Sequence, residues 1–228
     1  MSEFNTAPAP ETTEAPAPEK DKKESVVSIL FDYLEILVFS VCAVLIVFTV
    51  FCRLCRVDGS SMRNTLFNGE NLITTNLVKP EVGDIIVFHQ TSERYPNLNE
   101  PLVKRIIATE GQTVRINYAK GEVYVDGVLQ EDPHCHLLDR SGNDIGRWTQ
   151  SPGYGFDHAT GIFEATVPEG CYFVMGDNRN NSRDSRDPSI GMIDTREILG
   201  KAIFLLFPGS GEKKNTAPRD FHRIGALN

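Results

Sequence analysis

The chain has 228 residues, 40% of them hydrophobic and 24% charged, and a net charge of −8. Its length allows one substantial folded domain with appendages. The acidic balance provides no basic field to gather a polyanion, so nucleic acid is set aside as a partner. The 5 cysteines fall into two groups, Cys42, Cys52 and Cys55, then Cys135 and Cys171. No CxxC pairs with a second CxxC, which leaves little support for a zinc site.

In chain order, residues 1–24 are rich in Pro, Ala, Thr and Glu and nearly free of large apolar groups. Such a segment buries too little surface to offset chain entropy and is read as a disordered tail. Residues 25–56 are read as a single transmembrane anchor. From Ile36 to Cys52 the run carries no charge, and the turns upstream of it add only Asp32 and Glu35. At ~1.5 Å per residue this approaches the ~30 Å hydrocarbon thickness of a bilayer. The run starts far from the N-terminus and no Ala-x-Ala-like site follows it, so an uncleaved anchor is expected rather than a signal peptide. Lys20, Lys22 and Lys23 on one side balance Arg53, Arg56 and Arg63 on the other, so flanking charge sets no orientation.

Beyond the anchor the pattern turns to short apolar or alternating runs broken by turns. Strands are expected at Gly83–Gln90, Pro101–Thr109, Gln112–Asn117, Gly121–Gln130, Gly170–Asn178 and Gly200–Pro208. Asp126-Gly127 between Val125 and Val128 is a hairpin signal. Apart from the anchor no long segment holds a helical period. The fold class expected is mostly β, with bent antiparallel sheets or a small barrel over residues 57–208, after one N-terminal transmembrane helix. Residues 131–160 read as a peripheral insertion and 209–228 as a loose tail. On a strand, His134, Cys135 and His136 would point alternately to opposite faces, which argues against a shared metal.

Three stretches bear chemistry. "GSSMRNTL" (Gly59–Leu66) sets two serines just past the anchor, as an exit turn or as a nucleophile needing a base. In "PLVKRIIA" (Pro101–Ala108), Lys104 shares a strand face with Leu102, Ile106 and Ala108. An amine held against apolar neighbours loses its proton more readily, whereas Arg105 on the other face cannot deprotonate. The alternative for Lys104 is a side chain reaching solvent from a sheet edge. "GDNRNNSRDSR" (Gly176–Arg186) crowds hydroxyl, carboxylate and guanidinium groups into one loop, either solvated or bracing a site.

Taken together, an uncleaved anchor followed by "GSSMRNTL", "KRIIATEGQTV" and "GDNRNNSRDSR" resembles the bacterial type I signal peptidase (leader peptidase) family. The resemblance implies Ser61, rather than Ser60, as nucleophile and Lys104 as general base. It implies that Ser182 orients the amine, and that Asp177, Arg179, Asp184 and Arg186 brace the loop by ion pairing. Val57 and Val103 would line pockets for small residues, and no cofactor or metal is needed. Partners would be preproteins with Ala-x-Ala-like cleavage sites, the lipid bilayer and the secretion translocon. The catalytic domain would face the outer side of the cytoplasmic membrane, an oxidising setting in which Cys135 and Cys171 would be able to pair. Two departures from the family pattern stand out. Gly59 has no hydroxyl where some members have an oxyanion donor, and Asn64 replaces a usual proline. Two other readings are a Ser/Lys self-cleaving repressor domain, which lacks a DNA-binding segment here, and an anchored β-domain that only binds extracytoplasmic partners.

Overall fold

The computed structural model describes residues 26–90, 100–137, 148, 156–209 and 219–227. The expected tail at 1–24 lies outside them. Two compact units divide the chain, Met1–Val44 and Leu45–Asn228. Helix α1 spans Val26–Phe51. Its first 21 residues, Val26–Ile46, are long and apolar enough to cross a membrane, and their side chains are all exposed. Uncovered apolar surface on this scale calls for lipid rather than water.

The helix stops five residues short of the expected anchor boundary. Cys52–Arg56 is strand β1, paired antiparallel with β2 (Asn71–Thr75). Arg53 and Arg56 interrupt the apolar run, and β2 takes up the backbone groups that a longer helix would have used.

Eleven further strands follow among the described residues: β3 (Ile85–His89), β4 (Pro101–Thr109), β5 (Thr113–Asn117) and β6 (Glu122–Val125) come first. Then come β7 (Val128–Leu129), β8 (Phe156–Asp157), β9 (Ile162–Thr166) and β10 (Cys171–Met175), and finally β11 (Ile193–Asp194), β12 (Ile198–Phe207) and β13 (Gly225–Ala226). One sheet has the order β1-β2-β12-β3-β4-β10-β11, with β13 on β12; the other has the order β7-β6-β5-β9-β8. Pairing within both sheets is antiparallel. Register shifts between Phe173 and Val174 on β10, and along β12, bend the first sheet. The mostly-β expectation holds, in its bent-sheet form.

The β6–β7 hairpin closes as its Asp-Gly pair foretells. Asp126 and Gly127 have φ of 52° and 79°, the left-handed geometry of a two-residue turn that matches strand twist. Three apolar clusters fill the fold. One lies where β4, β5, β6, β9 and β10 meet, built on Ile107, Val114, Ile116, Phe163 and Phe173. A second underlies the Ser61 turn with Val57, Met62, Leu66, Leu72, Val103 and Leu205. The third packs Ile86, Phe88, Ile106, Val174 and Ile193. Strand β4 contributes to all three, so it is buried on both faces and its alternation does not mark a solvent side.

Two expectations change. Residues 219–227 are not loose: β13 pairs with Phe204 and Leu205 of β12, and the Leu227 N–H bonds the Ile203 carbonyl. The reason is long-range pairing, which leaves no trace in local composition. The stretch 131–160 is not wholly peripheral either. Asp132 and His136 bond the loop after β10, and Trp148 packs on the first cluster. Its remaining residues, 138–147 and 149–155, lie outside the described ones.

Candidate active site

Ser61 sits on a turn slung between β1 and β2. The turn is closed at its base by paired backbone bonds, Val57 N–H to Glu70 O at 2.8 Å and Gly69 N–H to Val57 O at 2.8 Å. Met62 and Leu66 are buried beneath it, and the Leu66 N–H bonds the Met62 carbonyl at 2.8 Å. Two apolar anchors four residues apart hold the backbone down and leave Ser61 half-exposed above.

Lys104, on β4, is 3% exposed. Its Nζ lies 2.9 Å from Ser61 Oγ and 2.9 Å from the Val103 carbonyl oxygen. Burial lowers the amine's pKa from 10.5 to about 8; the charges of Asp184 and Asp177 pull it upward and that of Arg186 pushes it down. Of the two sequence readings, the solvent-reaching side chain is therefore excluded. An amine near 8 is neutral often enough at physiological pH to accept a proton. Its neighbour Arg105, 2% exposed, faces the other way. It grips Asp177 with two bonds of 2.9 and 2.8 Å and donates a third to the Gly83 carbonyl at 2.6 Å. A planar fork of donors matches a carboxylate in geometry where a single ammonium does not.

The loop after β10 clamps the Ser61 turn from one side. The Asn178 N–H donates to the Ser61 carbonyl at 3.0 Å, Asn178 Nδ2 to the Ser60 carbonyl at 3.2 Å, and Asn181 Nδ2 to Ser60 Oγ at 2.8 Å. Gly176 lets the two segments touch. A Cβ there would fall closer than 3.0 Å to both the Ser61 carbonyl oxygen and the Ser182 hydroxyl. The loop is itself held by buried ion pairs. Arg186 forks onto Asp184 through two bonds of 2.7 Å, and Asp184 also accepts from the Gly176 N–H at 3.0 Å. Burial pushes the Asp184 carboxyl up, but Arg186, the Gly176 N–H and a hydrogen bond from Ser182 together hold it below its usual range. Arg179 pairs with Asp132 and donates to the Gly176 carbonyl at 3.1 Å. Trp148 lies against the Arg186 guanidinium, 5.0 Å from ring centroid to carbon, and meets Tyr118 edge-on.

The nine residues anticipated from the sequence thus fall into three places. Ser61 and Lys104 are in contact; Ser182, Asp177, Arg179, Asp184 and Arg186 belong to the adjoining buried loop. Val57 and Val103, 3% and 8% exposed, lie in the core cluster under the turn. Sequence reasoning missed Arg105, Asp132, Asn181 and Trp148 as members of this network. Arg105 carried a signal, since a guanidinium inside an apolar strand requires a carboxylate. Asp132 and Trp148 carried none. Cys135 and Cys171 are not bridged. Among the described residues no cluster of His, Cys, Asp and Glu is arranged to hold a metal, and His134–His136 lie in a turn and a single bridge rather than a strand. A cavity of about 480 Å³ is lined by Arg105, Asp132, His134, Cys135 and Arg179, but not by Ser61 or Lys104.

The chain belongs to the signal peptidases of peptidase family S26, which match residues 30–207. It is accordingly a serine endopeptidase, and its apolar helix fits a membrane-anchored protein. It is 32% identical to signal peptidase IB of Staphylococcus aureus over 181 residues, 72% of this chain and 82% of that one. A probable signal peptidase I-1 of Synechocystis sp. is 37% identical over 163 residues, covering 68% of this chain and 70% of the relative. A solved signal peptidase I from Enterococcus faecalis V583 shares 32% identity and a TM-score of 0.40, over 55% of this chain and 98% of that structure.

Proposed function

We propose that this chain removes N-terminal signal peptides from preproteins, with Ser61 as nucleophile and Lys104 as general base. The observation that carries the reading is the 2.9 Å contact between Ser61 Oγ and a buried Lys104 Nζ. In the neutral amine the direction of that bond reverses, and the hydroxyl donates to nitrogen. Ser61 Oγ attacks the scissile carbonyl as its proton passes to Lys104. The Ser61 backbone N–H supports the oxyanion. The C–N bond then breaks, and the leaving amine takes the proton from the Lys104 ammonium. Water, deprotonated by the regenerated amine, hydrolyses the acyl-enzyme and frees Ser61.

The other anticipated residues act on this pair from behind. Ser182 orients the amine from beside Gly176, while Asp184, Arg186, Asp177 and Arg179 keep the loop rigid. Val57 and Val103 line the subsites for the small residues of Ala-x-Ala-like sequences. Substrate and enzyme meet at the membrane, with helix α1 (Val26–Phe51) as anchor and the peptidase domain on the outer side of the cytoplasmic membrane, where preproteins leave the translocon. The test is cleavage of a preprotein in detergent by Ser61→Ala and Lys104→Ala. Both are expected to lose activity by about 10⁴-fold or more while keeping their melting temperature within a few degrees. Processing at the wild-type rate by either variant removes that residue from the mechanism.

A further inference from the structure

The Ser61 turn is clamped from two sides, and the second clamp comes from a segment beyond the residues that match the family. Residues 219–227 return to the sheet after residue 207 and carry Arg223 against the far half of the turn. Arg223 Nε donates to Glu70 Oε1 at 2.8 Å, and its Nη2 donates to the Thr65 carbonyl at 2.7 Å and to Glu70 Oε2 at 3.3 Å. The guanidinium also covers the Phe67 ring, 4.5 Å from its centroid. Glu70 is 1% exposed and accepts from the Phe67 N–H at 2.8 Å, so one carboxylate ties the end of the turn to Arg223. Leu227 packs on the same cluster as Val57, Met62 and Leu66.

These bonds divide the work. The loop after β10 holds Ser60 and Ser61; Arg223 holds Thr65, Phe67 and Glu70. Between the two grips lies one short turn with the nucleophile on it, and Oγ must stay at hydrogen-bond distance from a lysine fixed on a separate strand. Displacing a reacting atom by about 1 Å costs on the order of 10²-fold in rate. We propose that Arg223, presented by the C-terminal segment 219–227, is a positioning residue that fixes the Ser61 turn for attack. The proposal rests on the reading of Ser61 as nucleophile and adds a determinant outside the family's matched region.

The experiment uses the full chain in detergent with a preprotein substrate. It compares wild type, Ser61→Ala, Arg223→Ala, Arg223→Lys and the double variant Arg223→Ala/Glu70→Gln, which leaves no buried carboxylate without its cation. Arg223→Ala and the double variant are expected to lose kcat by about tenfold, with KM and the midpoint of the pH–rate profile unchanged, because Lys104 and its surroundings are untouched. Lysine restores the charge opposite Glu70 but not the second bond to Thr65. Arg223→Lys should therefore recover most of the melting temperature while kcat stays depressed. A wild-type kcat in the double variant, or a lowered melting temperature with kcat intact in Arg223→Ala, overturns the positioning role and leaves a structural strap. If Ser61→Ala still cleaves, the nucleophile assignment itself has failed; if it is inert while Arg223→Ala turns over normally, only the present proposal has.

Discussion

On the proposed mechanism the reaction should follow the titration of one amine. With Lys104 near 8 rather than 10.5, about one molecule in ten carries the neutral amine at pH 7, against about one in three thousand for an ordinary lysine. Burial is thus worth a factor of about 300 in competent enzyme. The expected profile of kcat/KM, measured on a preprotein with the full chain in detergent, rises tenfold per pH unit below about 8 and levels off above it. The same shift sets a stability trend. Because the folded pKa lies below the unfolded one, the folded chain binds fewer protons between about pH 8 and 10.5, and stability rises with pH across that window. Below about pH 8 the penalty is fully present, on the order of 3 kcal/mol. Lys104→Met should consequently raise the melting temperature at neutral pH while abolishing cleavage, since it fills the site without a charge to desolvate. A rate that is flat between about pH 6 and 9, or still climbing at about pH 10, refutes the argument from burial.

Two further outcomes follow from the packing around the dyad. Gly176→Ala pushes a methyl into the Ser61 carbonyl and the Ser182 hydroxyl; steady-state kinetics should show kcat down by about 10²-fold with KM little changed, and wild-type turnover would mean the two segments can part freely. Arg105→Ala leaves Asp177 buried without its fork of donors. Chemical denaturation should register a loss of about 3–5 kcal/mol, and a loss below about 1 kcal/mol would mean the pair is hydrated.

How much of this was legible beforehand depends on what each residue's role is made of. Strand β4 was bounded correctly at Pro101–Thr109 because its apolar run ends in turn-forming residues, and the β6–β7 hairpin because Asp126-Gly127 encodes its own backbone geometry. Strands β2 and β9 escaped notice: "NLITT" and "IFEAT" are too short for alternation to rise above loop composition, and pairing partners distant in sequence define them. The end of α1 differs for a related reason, since Cys52–Arg56 contains no helix breaker and is a strand because β2 lies alongside. Ser61, Lys104 and the Gly176–Arg186 loop were picked out by residue types that make sense only together. Their supports were not. Asp132 is an ordinary loop aspartate until Arg179 is placed beside it, and Arg223 sits in a stretch whose composition signals nothing at all.

The contact between Ser61 and Lys104 spans 43 residues, and the loop that fixes the serine arrives only after β10. Until β3, β4 and β10 have come together, the lysine is bathed in water, keeps its proton and has no hydroxyl to act on. A chain still emerging from synthesis therefore carries the reagents of peptide hydrolysis in an inert state. On the proposed mechanism, hydrolytic competence depends on the closing of the sheet that sets Lys104 against Ser61.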